Sequence, residues 1–166
     1  AAPDAHAPVA FSKREIKQGR PMAELVWSAA SQQWGVDAMI LGTDLFWSGV
    51  GPGPVTLQGL YDAVLAQRQP AGTAGFSSLY IVELEGDKLD DLKSKLYAGP
   101  RFVGFFPRQL DPRRTYRLAI EKRAMEHPEM AFGAGRRAPE GRYAGELIDV
   151  LEPYARARNA KKLALD

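Results

Sequence analysis

Apolar residues recur along this chain at spacings that switch between the helical and the extended period, so the pattern predicts alternating helices and strands. Met22, Leu25, Val26, Ala29 and Ala30 fall at helical spacing behind Pro21, and Gly35 is the expected stop. Pro21 suits a first helical position because its fixed φ fits the helix and its missing N–H would have been unpaired there. Trp27 and Trp34 share a neighbouring stripe, which predicts that both indoles pack in the core. Val36 to Leu41 is short and apolar with one acid, Asp37, as in a buried strand. Between Gly42 and Pro54 stand four Gly and two Pro, so the backbone is expected to turn repeatedly there.

Thr56 is placed to cap a helix whose apolar face is Leu57, Leu60, Tyr61, Val64 and Leu65. Gln67 to Gly75 reads as a polar loop. Ser77 to Glu85 alternates clearly: Leu79 and Ile81 point one way, Tyr80, Val82 and Leu84 the other. Gly86-Asp87 then turns into a helix over Lys88 to Tyr97 with Leu89, Leu92 and Leu96 on one side. Arg101 to Phe106 and Thr115 to Ile120 read as strands with Asp111-Pro112 in the turn between them, and Gly145 to Arg158 as a final helix kinked or restarted at Pro153. Such alternation predicts a mixed α/β or α+β layered fold. Residues 1 to 12, rich in Ala and Pro without periodicity, are expected to be a flexible arm, and 13 to 166 one domain.

Composition adds boundaries. A chain of 166 residues is one domain's worth and large enough to bury a core without metal or disulfide staples. The absence of cysteine excludes thiolate metal sites and Cys nucleophiles. The start, Ala1 to Pro8, looks like a lead-in left after signal cleavage, or like a cut domain boundary; the expectation is a periplasmic or secreted protein. The apolar runs are far short of the roughly 20 residues that span a bilayer, so membrane insertion is not expected. The net charge of +2 is small, but Lys and Arg number 8 against 11 acids over residues 1 to 99 and 14 against 9 over residues 100 to 166.

Candidate chemistry is sparse. The loop Gly42 to Gly53 lacks the Gly-Lys-Ser/Thr of a phosphate loop, and Gly49-Val50-Gly51 does not open a helix. His6 and His127 are the only histidines, at no spacing that resembles a zinc signature, and no Gly-x-Ser-x-Gly elbow is present; no metal, cofactor or catalytic residue is expected. Asp87, Asp90 and Asp91 read as a solvated helix start rather than a cation site. The basic segments Arg113-Arg114, Arg136 to Arg142 and Arg156 to Lys162 are interrupted by Glu140 and read as solvated surface, so a nucleic-acid partner is not expected. Phe46 and Trp47, adjacent in the Gly-rich loop, leave two readings open: an apolar stacking surface, or packing over a helix.

The order of these segments from Gly35 to Lys122 resembles the C-terminal domain of the 5'-nucleotidase family. The helix ending in Trp34-Gly35, the strand to Leu41, the Gly-rich loop, Val55 to Tyr61, Leu79 to Leu89 and Leu110 to Ile120 carry the resemblance, which extends over about residues 13 to 135. It implies a domain that grips a substrate's nucleoside, while a separate metallophosphatase half holds two metals and does the hydrolysis. No stretch here resembles that second half. The family's Asn-Gly-Gly run and following Arg fall at Leu41, Gly42, Thr43 and Phe46, so the Asn and the Arg are missing. The aromatics that sandwich the base in the family correspond to Phe76, in Gly75 to Leu79, and to Phe132, in Ala131 to Gly135.

The expected function is therefore a non-catalytic, exported binding or accessory module that holds a small molecule or a partner protein in a cleft lined by Phe46, Trp47, Phe76 and Phe132. Two alternatives stand beside it: the nucleotide-binding half of a metallophosphatase whose catalytic half is a separate or removed chain, and a structural or oligomerising protein without a ligand.

Overall fold

The computed structural model describes residues 4–64, 77–96, 101–135, 137 and 139–166. The elements follow as β1 (Pro8–Ser12), α1 (Arg20–Trp34), β2 (Ala38–Gly42), a single tight helical turn at Thr43–Leu45, β3 (Gly53–Thr56), α2 (Leu57–Val64), β4 (Ser78–Glu85) and α3 (Gly86–Lys95). After them come β5 (Phe102–Phe105), β6 (Thr115–Glu121), α4 (Lys122–Glu126), α5 (Pro128–Phe132), β7 (Arg142–Glu146) and α6 (Leu147–Ala160). Five strands form one mixed sheet in the order β5-β2-β6-β4-β7. Within it β2 and β6 run parallel and the other neighbours antiparallel.

Strand alternation divides the interior into two cores, one on each face of the sheet. Met39, Leu41, Leu79, Ile81, Val103 and Ala119 point to the side covered by α1, α2 and α6, where Met22, Leu60 and Leu151 meet them. Ala38, Ile40, Val82, Leu118 and Ile120 point to the other, under Leu89 of α3, Ala124 of α4 and Phe132 of α5. Every residue of β2 is buried because both of its faces are covered, which is why it read as a continuous apolar run. Asp37 lies just before it and accepts the Arg117 N–H at 2.9 Å.

Most of the expected elements are present. Gly35 ends α1 in the left-handed conformation, φ 62°. Thr56 caps α2 through its hydroxyl, which accepts the Gly59 N–H at 3.0 Å. Trp27 and Trp34 pack against the α1-side core, and Trp27 stacks on Phe105 of β5 with ring centroids 5.7 Å apart.

Two expectations are corrected. Residues 8 to 12 are no free arm: β1 pairs antiparallel with β3, and Val9 and Ala10 are buried. The Phe11 carbonyl also accepts the Leu165 N–H at 2.9 Å, so the strand is tied to the other end of the described chain. The helix does not restart at Pro153: α6 runs through it as one helix, with Pro153 on its exposed side. Its ring meets water there, and the helix is held by Val150, Leu151, Tyr154 and Ala155 on its buried side.

Candidate functional site

Parallel strands place their carboxyl ends side by side, so Gly42 at the end of β2 and Glu121 at the end of β6 are neighbours. From there the chain diverges. After β2 it passes through Leu45 and Phe46 to α2, all in the α1-side core, whereas after β6 it enters α4 and α5 in the opposite core. Adjacent parallel strands whose continuations leave to opposite faces make a topological switch point, and in open α/β sheets ligands bind in the crevice outside the strand ends at such points.

Charged side chains of the protein fill this one. Glu121 is fully buried, and its carboxylate accepts the Gly42 N–H at 3.1 Å. It also accepts Nε of Arg123 at 2.8 Å and Nη2 at 3.0 Å. Arg123, near the start of α4, turns its outer edge to Asp44 in the turn after β2, donating from Nη1 at 2.9 Å and from Nη2 at 2.6 Å. The guanidinium centre stands 5.6 Å from the centroid of the Phe102 ring. One arginine thus bridges a buried and a half-exposed carboxylate through charge-assisted hydrogen bonds. Gly42 is required by this arrangement: a Cβ there would collide with Nη2 of Arg123 and lie 2.7 Å from Oδ1 of Asp44 and 2.9 Å from Oε2 of Glu121.

The two carboxyls are pushed in opposite directions. Burial raises the Glu121 pKa above its ordinary value, against the lowering effect of its bonds to Arg123. Asp44 is lowered, first by its hydrogen bonds to Arg123, and Arg101 nearby adds to this. Arg123, held between two anions, is raised. Two carboxylates on one guanidinium leave the cluster with one net negative charge.

The aromatics expected to share a cleft do not come together, and that expectation is corrected. Phe46 is 1% exposed in the α1-side core, and Phe132 is buried in the core across the sheet. Trp47 is 70% exposed, and Phe76 lies outside the described residues. The cause is local. Phe46 has extended backbone, φ −99° and ψ 120°, so successive side chains point opposite ways and burying its ring turns Trp47 to solvent. Three contacts fix that loop: Gln18 Nε2 donates to the Phe46 carbonyl at 2.7 Å, the Trp47 N–H to the Ala63 carbonyl at 2.9 Å, and Ile16 and Val50 exchange backbone bonds at 2.8 Å.

Elsewhere the site inventory is plain. Asp87, Asp90 and Asp91 are exposed, and His127 sits between α4 and α5 with Nδ1 3.5 Å from Glu129. Among the described residues no group of three His, Cys, Asp or Glu is arranged to hold a metal ion. A hollow of about 410 Å³ over Ile16, Leu25 and Leu165 is lined by neither Trp47 nor Arg123.

No family model matches the sequence, and no curated protein matches it. Solved structures do. The 5'-nucleotidase of Candida albicans superposes with a TM-score of 0.62 at 8% identity, covering 91% of this chain and 39% of that one. The 5'-nucleotidase precursor of Thermus thermophilus gives 0.59 at 10%, covering 92% of this chain and 37% of that one. The fold is that of one domain of the 5'-nucleotidases. The sulfate thiohydrolase SoxB of Thermus thermophilus shares it, with a TM-score of 0.58 and 18% identity over 92% of this chain and 33% of that one. This chain therefore spans a third to two-fifths of the length of these solved proteins, and identities this low establish the nucleotidase-domain fold alone.

Sequence reasoning passed over Asp44, Glu121 and Arg123. The available signal was an acid closing the apolar run Leu118-Ala119-Ile120, with an arginine two residues on. What the sequence could not supply was the partnership with Asp44, 79 positions away.

Proposed function

We propose that this chain is a non-catalytic binding module that offers Trp47 as a stacking platform for a flat, heteroaromatic group of a small molecule. The observation that supports this reading most is the way Trp47 is presented. Its indole is 70% exposed while its own backbone and its buried neighbour Phe46 are fixed by hydrogen bonds from Gln18 and to Ala63. A backbone already held in place loses little entropy on binding, which favours an exposed indole carried on it as an anchor. It sits three residues beyond Asp44, in the loop that leaves the switch point.

The test is a calorimetric titration with adenosine, AMP and UDP-glucose, run on wild type and Trp47→Ala. Stacking worth on the order of 1 kcal/mol corresponds to about a fivefold weaker Kd in the variant. Equal affinity of variant and wild type, or no binding of any of the three, refutes the reading.

The share of the solved hydrolases that this chain spans favours a second reading, a nucleotide-binding half that works with a separate catalytic chain. That reading requires nucleotide affinity in the isolated chain, and the missing Asn and Arg of the run at Leu41, Gly42, Thr43 and Phe46 argue against it.

A further inference from the structure

We infer that the surface of Lys13, Arg14, Lys17, Lys161, Lys162 and Leu163 docks on an anionic lipid bilayer, with the cations at the headgroups and the Leu163 side chain at the acyl boundary. The inference goes beyond the stacking reading, and it rests on different residues.

Three observations carry it. First, the fold joins two short basic segments that are distant in sequence. The Leu165 N–H donates to the Phe11 carbonyl at 2.9 Å, and the Asp166 carboxylate accepts the N–H groups of Lys13 and Arg14 at 2.7 and 2.9 Å. Residues 13–17 and 161–166 together hold five cations against two acids, Glu15 and Asp166, a net +3 where the whole chain carries +2. Second, these cations are available. All five residues are exposed, and Lys13, Lys17, Lys161 and Lys162 form no ion pair among the described residues. The Arg14 side chain is 85% exposed, whereas Asp166, its neighbour at 3.6 Å, is turned inward to the backbone N–H groups.

Third, an apolar side chain is held to solvent in the middle of this charge. Leu163 is 43% exposed, while Ala164 and Leu165 beside it are buried. Its position is built in. After α6 the Lys162 backbone takes φ 57°, the Leu163 N–H donates to the Arg158 carbonyl at 2.8 Å, and the Arg158 guanidinium grips the Ala164 carbonyl. A leucine fixed outward between lysines fits a partner whose charged surface covers an apolar interior. Duplex DNA would use the cations and gain nothing from the leucine. The contact is adsorption to the surface, since no helix among the described residues is long and apolar enough to cross a membrane.

The experiment is co-sedimentation of the full chain with vesicles of phosphatidylcholine alone and of phosphatidylcholine and phosphatidylglycerol in equal parts. Wild type is compared with Lys161→Gln/Lys162→Gln, with Leu163→Ser, and with Lys88→Gln/Lys95→Gln, which removes the same charge from exposed positions of α3. All the substituted side chains are exposed, and equal thermal melts check that the fold is kept. Each lysine near an anionic membrane strengthens binding about fivefold. The expected result is therefore binding to the mixed vesicles only, at least tenfold weaker in Lys161→Gln/Lys162→Gln, roughly threefold weaker in Leu163→Ser, and little changed in the α3 control. Added salt should weaken it. The inference is overturned if wild type sediments equally with both vesicles or with neither, if the α3 control loses as much as Lys161→Gln/Lys162→Gln, or if Leu163→Ser binds as wild type does. Binding of a DNA duplex through the same lysines, with the mixed vesicles ignored, would also overturn it and assign the surface to nucleic acid. Trp47→Ala should leave vesicle binding unchanged, so the stacking reading and this one fail separately.

Discussion

Gly42 shows how one residue can be dictated by chemistry distant in sequence. Its N–H supports the Glu121 carboxylate, and the space over its Cα is taken by Arg123, Asp44 and Glu121. Gly42→Ala should therefore destabilise the protein by roughly 1–3 kcal/mol, the usual cost of overpacking, measured by urea denaturation. The same cluster predicts two separate pH effects. Glu121 has a raised pKa in the fold, so the native state binds its proton more tightly than the unfolded chain, and stability falls as pH rises through the folded value. Compared with Glu121→Gln, wild type should gain stability as pH is lowered from neutral towards the ordinary glutamate value of 4.5. Asp44 behaves oppositely. Its lowered pKa contributes stability above the ordinary 3.8, lost only as pH falls below that value, and Asp44→Asn should abolish this acid limb in melts recorded against pH.

At the scale of elements, α6 carries the clearest consequence. Pro153 has no N–H to give to the Asp149 carbonyl one turn back, yet the helix continues to Ala160 because its other side is buried. Since Pro153 is exposed, Pro153→Ala removes no packing and restores a hydrogen bond. It should stabilise the protein by up to about 3 kcal/mol, seen as a higher Tm. Elements were legible in the sequence where one period dominated: α1 from Met22 to Ala30, β4 from Leu79 to Leu84, α3 from Leu89 to Leu92. β7 was not, because an edge strand with exposed Arg142 and Tyr143 shows little apolar alternation, and its register with β4 shifts between Tyr143 and Gly145. β1 was hidden for a related reason: its buried pair Val9 and Ala10 is flanked by Pro8 and a polar, Ala-rich lead-in, and it pairs with β3 across 40 or so residues of chain.

For the molecule as a whole, segment order was enough to expect a mixed α/β domain of the nucleotidase kind, and the superpositions on solved structures agree with it. Sidedness was not legible. Phe46 was expected in the Gly-rich loop and Phe132 in Ala131 to Gly135, but only the direction each connection takes around the sheet puts them in different cores. The parallel pairing of β2 with β6, unseen in the sequence, brings Asp44 to Arg123, and the extended backbone at Phe46 leaves Trp47 in the open. We propose binding without hydrolysis for this scaffold, which spans a third to two-fifths of the solved proteins it matches. Phosphate release from AMP and UDP-glucose by the isolated chain, with manganese added, tests this most directly. The account predicts release no faster than in buffer with manganese alone; turnover that rises in proportion to the concentration of the chain would contradict it.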